Sequence, residues 1–193
     1  MTFSFGSSAT LATQITQGAP ADVFAAASPA TMKTVTDAGA ATGTPTDFVS
    51  NTLEIAVPKG NPGHITGLKD FADESKKIAI CDPSVPCGAA AVKVFAAAQI
   101  TAKPDTLEQD VKATLQKVAG DEVDAALVYK TDVIAAGDQV EGINFPESAQ
   151  AVNEYPIAAL KASKNGVEAQ AFVDYVLSPD GLAVLSKAGF AKP

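Results

Sequence analysis

Two short turns hold residues whose type and spacing suit chemistry. They are Gly6-Ser7-Ser8, ahead of the run Ala9 to Gln17, and Pro86-Cys87-Gly88, ahead of the run Ala89 to Gln99. Each follows a short apolar stretch that reads as a strand, Thr2 to Phe5 and Lys77 to Ile80. A strand running into a helix N-terminus leaves backbone N–H groups without intrahelical partners at the positive end of the helix dipole. Such a terminus accepts an anion without lysine or arginine. Quieter readings exist for both turns. The first can be an ordinary serine N-cap. The second can present a cysteine of lowered pKa, a nucleophile. That enzyme reading needs a base, and the sole histidine, His64, lies in a Gly-Asn-Pro-Gly-His turn that reads as solvated.

Cys87 has one possible partner, Cys81, across Asp-Pro-Ser-Val-Pro. The pair can close a disulfide if the Cα atoms come within about 7 Å, which suits an exported protein. The alternative is two reduced, independent thiols. No other residues support a cation site.

Composition narrows the partners. Among 193 residues, 14 Lys and Arg face 22 Asp and Glu, a net charge of −8. That balance argues against nucleic acid, which needs clustered basic residues, and against an anionic membrane surface. Hydrophobic residues make up 47%, enough for one large core or two small ones. No apolar stretch has the length of a membrane-spanning helix. Met1 stands directly before the first expected strand, which leaves no room for a signal peptide.

The elements that must position these turns alternate. Expected strands are Phe3 to Phe5, Val23 to Ala27, Leu53 to Val57, Lys77 to Ile80, Ala125 to Tyr129, Val140 to Phe145 and Glu154 to Leu160. Expected helices are Ala9 to Gln17, Pro29 to Ala38, Leu68 to Ala72, Gly88 to Gln99, Asp110 to Ala119, Val167 to Leu177 and Pro179 to Ala188. Gly18, Gly39 and Gly120 stand where helices stop. The alternation implies an α/β fold with mostly parallel sheets, whose ligands sit outside the carboxyl ends of the strands. Strands 53–57 and 154–160 read as crossings between two lobes. One lobe is then 1–51 plus 161–193, and the other is 52–160 with the crossing strands.

The start of the helix near 110 has two readings. Thr106 and Gln109 fit a capping box that would begin it at Thr106 and place Val111 inside. The preferred reading is a later start, with Asp110 as the cap. Tyr129 reads either as a buried core tyrosine or as a hydroxyl donor. Tyr155 reads as structural. Lys130 and Asp132 read as a solvated or helix-capping pair.

Eight segments carry a resemblance: FGSSATLATQI (5–15), GAPADVFAAAS (18–28), NTLEIAVPKGNP (51–62), DPSVPCG (82–88), EQDVKATLQKV (108–118), ALVYKTDV (126–133), EYPIAAL (154–160) and AGFAKP (188–193). In this order they span nearly the whole chain, which resembles the molybdate-binding proteins of bacterial ABC transporters. The resemblance implies the two-lobed type II periplasmic-binding-protein fold, with two crossover strands as a hinge, closing on a tetrahedral oxyanion. It implies Ser8 as a ligand through hydroxyl and backbone N–H, Cys87 and Val111 through backbone N–H, and Tyr129 through its hydroxyl. The ligand would be molybdate or tungstate, with its metal held only as an oxyanion by these residues. No cofactor and no catalysis are expected. The partner would be an ABC permease, the protein a monomer, and its place the periplasm or the cell surface, with or without a lipid anchor.

Members of that family begin earlier, with an export signal and a strand ending in an Ala-Ala-Ala-Ser type turn whose serine is a further ligand. Ala25-Ala26-Ala27-Ser28 is not that turn, because Gly18 to Asp22 places it in a later strand. The resemblance therefore implies one strand, one helix and one serine fewer here, and an exposed apolar sheet edge. Two rival readings follow: a truncated, binding-impaired form, and the effector-binding domain of a regulator. A disulfide would favour the exported protein over the regulator. With donors only and no carboxylate in the site, fully deprotonated oxyanions should be preferred over hydrogen phosphate.

Overall fold

The computed structural model describes all 193 residues of the chain. Helices α1 (Ser8–Thr16) and α2 (Pro29–Asp37) flank strand β1 (Val23–Ala25), and strands β2 (Thr46–Asn51) and β3 (Leu53–Pro58) follow. The middle of the chain holds β4 (Ile78–Cys81), α3 (Pro86–Ala98), β5 (Thr106–Glu108), α4 (Val111–Ala119), β6 (Ala125–Tyr129), α5 (Lys130–Ala136) and β7 (Val140–Ile143). It ends with β8 (Asn153–Ala159), α6 (Gly166–Leu177) and α7 (Pro179–Lys187). Short 3-10 turns occupy Leu68–Ala72, Gly137–Gln139 and Pro146–Ala151.

The chain forms two compact units, Met1–Asn51 with Asn153–Pro193, and Thr52–Val152. In the first unit the sheet order is β1-β8-β2, and both pairings are antiparallel. Alternation along β8 splits the core. Ala158 joins Phe24, Met32 and Val35 on the face covered by α1 and α2. Ile157 and Ala159 join Phe48, Ala169 and Val173 on the face covered by α6 and α7. Pro156 stands in the middle strand and has no N–H to donate. The β2–β8 register shifts between Asp47 and Val49, opposite Pro156 and Tyr155.

The second unit has the order β5-β4-β6-β3-β7. Strand β4 is parallel to both β5 and β6, whereas β3 is antiparallel to β6 and β7. Every residue of β3, β4 and β6 is buried, as expected for strands covered on both faces. A row of small residues crosses four strands: Ala79 pairs with Ala126, Ala126 with Ala56, and Ala56 with Gly142. Helix α4 packs over this row, with Val118 fully buried against it.

Several expectations are corrected here. Phe3 to Phe5 forms no strand. A strand needs a hydrogen-bonded neighbour; Phe3 instead stacks on Phe5 and packs against Phe172 of α6. The sheets are not mostly parallel. The first is wholly antiparallel because β8 re-enters the unit as the middle strand, flanked by β1 and β2 on opposite edges. The strand expected as the second crossing, Glu154 to Leu160, lies in the first unit's sheet, so the second unit ends at Val152 rather than at 160.

Candidate functional site

In the first unit, α1 begins at Ser8, with Ser7 in the cap position. Ser7 does not cap: its side chain makes no bond to the first turn, and its Oγ is buried without a hydrogen-bond partner. The ordinary N-cap reading of this turn therefore fails. Ser8 is 8% exposed, and its Oγ accepts the N–H of Ala27 at 2.9 Å. A hydroxyl that accepts one bond still has its own proton to donate. The Ala27 carbonyl is held in turn by Asn153 Nδ2 at 3.0 Å. Ser7 and Asn153 were missed by sequence reasoning. The serine pair is visible in the sequence, but only burial shows which hydroxyl is spoken for.

In the second unit, three expected residues stand at one edge of the sheet. Strands β5, β4 and β6 run parallel side by side, with Cys81 opposite Glu108 and Ile78 opposite Ala125. Their carboxyl ends therefore coincide, and α3, α4 and α5 all begin there. Val85 caps α3 without a side-chain bond, and Pro86 takes the first helical position. Cys87 follows, so the helix supplies no acceptor for its N–H. Cys81 and Cys87 are joined as a disulfide, with Cα atoms 5.7 Å apart. Gly88 is sterically required, because a Cβ there would lie 1.9 Å from the Asp82 carbonyl oxygen.

Helix α4 starts at Val111, after a cap in which the Asp110 carboxylate accepts the Ala113 N–H at 2.8 Å. The later of the two starts is thus the one adopted. Thr106, the rival cap, lies in β5, and its Oγ1 is buried and unpartnered. The capping bond leaves the N–H groups of the first helical residues, Val111 among them, without intrahelical acceptors.

Tyr129 ends β6 and is 4% exposed. Its backbone N–H donates to the Asp132 carboxylate at 3.1 Å, across the start of α5. Burial pushes the Asp132 carboxyl up to about 6, while the Tyr129 N–H and the nearby Lys112 charge favour ionisation. Asp132 is thus a helix cap, as one reading had it, but a half-buried rather than a solvated one. Burial also raises Glu54 of β3, against the pull of Lys130. The disulfide touches α4 as well: Cys81 Sγ lies 3.3 Å from Thr114 Oγ1, and Thr114 is fully buried.

The four expected residues carry neutral groups able to donate: backbone amides, a serine hydroxyl and a tyrosine hydroxyl. A shallow concavity in the first unit, lined by Thr42, Leu160, Val167, Gln170 and Asp174, contains none of the four expected residues.

Similarity to known proteins identifies the family and the fold. Residues 1–191 match the model of the family described as bacterial extracellular solute-binding protein. The chain is 41% identical over 191 residues to the molybdate-binding protein ModA of Mycobacterium tuberculosis, covering 99% of this chain and 73% of that one. It is 28% identical to the solved substrate-binding domain of a putative molybdenum ABC transporter from Clostridium difficile, with a TM-score of 0.70 over 100% of this chain and 86% of that one. The periplasmic molybdate-binding protein of Azotobacter vinelandii, 22% identical, shares the fold at a TM-score of 0.82, over 97% of this chain and 85% of that one. The fold is that of the type II periplasmic binding proteins. With a family match over nearly its whole length, the chain belongs to the bacterial extracellular solute-binding proteins and is a binding protein, not an enzyme.

Proposed function

We propose that this protein captures molybdate or tungstate outside the cytoplasm, as a monomer, and delivers it to an ABC permease. Ser8 of the first unit contributes its hydroxyl and N–H. The second unit contributes the N–H groups of Cys87 and Val111 and the hydroxyl of Tyr129. The observation that carries this reading is that the first turns of α1 and α3, where Ser8 and Cys87 stand, are capped by no side chain, as is also true of α6, in a chain 41% identical to a molybdate-binding relative. A buried dianion is costly unless it is fully hydrogen-bonded, and bonds from neutral donors to a charged acceptor are short and strong. Donors without a proton acceptor favour molybdate, tungstate and sulfate over hydrogen phosphate.

Thermal unfolding with molybdate, tungstate, sulfate and phosphate at equal concentration tests the reading. A ligand at about 1,000 times its dissociation constant adds roughly 4 kcal/mol. For a chain of this size that is a shift on the order of 10 °C. Large shifts with molybdate and tungstate, and none with phosphate, are expected. Cooperative unfolding at one temperature in all four salts would overturn the reading.

A further inference from the structure

The disulfide and Thr114 connect the two helix starts of the second unit that carry amide donors. Cys81 is the last residue of β4 and Cys87 the second of α3, and both are buried. Their bridge holds the donor turn of α3 to the end of β4, and the bare Gly88 lets that turn sit on the Asp82 backbone. On the other side, Cys81 Sγ rests on Thr114 Oγ1 at 3.3 Å. A disulfide sulfur has no proton, so the one proton of this contact belongs to threonine, which directs it to the Asp110 carbonyl at 3.0 Å. Asp110 caps α4 and precedes Val111. A continuous path thus runs from Cys87 through Cys81 and Thr114 to Asp110. A backbone tie runs beside it, from the Asp82 N–H to the Glu108 carbonyl at 2.8 Å.

We propose that the Cys81–Cys87 disulfide and Thr114 act as a positioning device that sets the Cys87 and Val111 amides in place before the oxyanion arrives. This rests on the reading of the site given above. Donors already fixed need no ordering on binding, whereas loosened turns must be ordered at the expense of affinity. Amides fixed in one geometry also favour one size of tetrahedral anion.

The test is calorimetric titration of molybdate and sulfate into the oxidised protein, the Cys81→Ser/Cys87→Ser double variant, Thr114→Val and Thr114→Ser. Cooperative unfolding is checked in each. The double variant is expected to bind molybdate about tenfold more weakly and to lose part of its preference over sulfate. Thr114→Val should lose about threefold, and Thr114→Ser, which keeps the hydroxyl, should recover it. A folded double variant with a lowered unfolding midpoint but unchanged affinity and anion preference would overturn the proposal. If the double variant does not fold, the threonine pair decides, and equal affinities for Val and Ser at 114 would overturn it. An oxidised wild-type protein that binds neither anion would overturn the site reading itself, a result distinct from both.

Discussion

Ser28 and Ser7 stand at the same position of two helices and behave differently. Ser28 caps α2 in the usual way, its Oγ accepting the Thr31 N–H at 3.3 Å, and Ser178 does the same for the Gly181 N–H of α7. At α1 and α3 no side chain reaches the first turn, although a serine is available at one of them. The difference separates helix starts that are finished from starts that are left open. A serine before a helix cannot tell them apart, because both kinds look alike in sequence. What distinguishes them is where the hydroxyl goes: back onto its own helix at Ser28, onto the distant Ala27 N–H at Ser8, and onto no partner at Ser7.

The largest expected effect breaks an open start. Ser8→Ala removes a hydroxyl donor to the anion and the buried acceptor of the Ala27 N–H. Hydrogen bonds to charged groups are worth about 1.5–3 kcal/mol, so molybdate affinity should fall roughly 10- to 100-fold in a titration. The matched change at a finished start, Ser28→Ala, should cost about 1 kcal/mol of stability by denaturant unfolding and leave affinity unchanged. Equal losses of affinity at the two serines would erase the distinction.

A smaller effect sharpens the third kind of start, α5, whose cap is a half-buried acid. The folded pKa of Asp132 is raised from 3.8 to about 6 by burial, so folding favours its protonated form. Its stabilising contribution is complete below the unfolded value and is lost as pH rises through about 6. Glu54 shifts in the same direction. The ligand-free protein should therefore gain from these groups as pH falls from 7 to 5. Asp132→Asn, which keeps an oxygen for the Tyr129 N–H, should flatten that slope in unfolding measured at several pH values. An unchanged slope in the variant would show that Asp132 does not titrate in this window.

How much of this was legible in the sequence depended on local signals. Ser28-Pro29 marked α2, Gly120 marked the end of α4, and the uninterrupted apolar run Ala125 to Tyr129 marked β6, each close to its observed bounds. The signals failed where tertiary pairing decides. Strand β5 is three residues with one apolar side chain and exists because β4 pairs with it. Helix α5 follows β6 with no punctuating residue, and its start is fixed by Asp132 from within. Strand β2 is separated from β3 only by Thr52, although the two belong to different units. The two turns of the candidate site were legible, since glycine and proline flag the starts of α1 and α3 at Gly6 and Pro86. The orphan hydroxyl of Ser7, the burial of Asp132 and the contact of Thr114 with the disulfide arise only from packing, and no spacing rule carries them.

Direct contact between the anion and the first-turn amides of α1, α3 and α4 is the core of the proposed site. Titrating molybdate into the uniformly 15N-labelled protein and following each amide tests it most directly. Saturable downfield shifts of the Ser8, Cys87 and Val111 N–H protons are expected, while the Thr31 and Gly181 amides, bonded to their own caps, stay in place. Saturable binding of molybdate that leaves Cys87 and Val111 unmoved would contradict it.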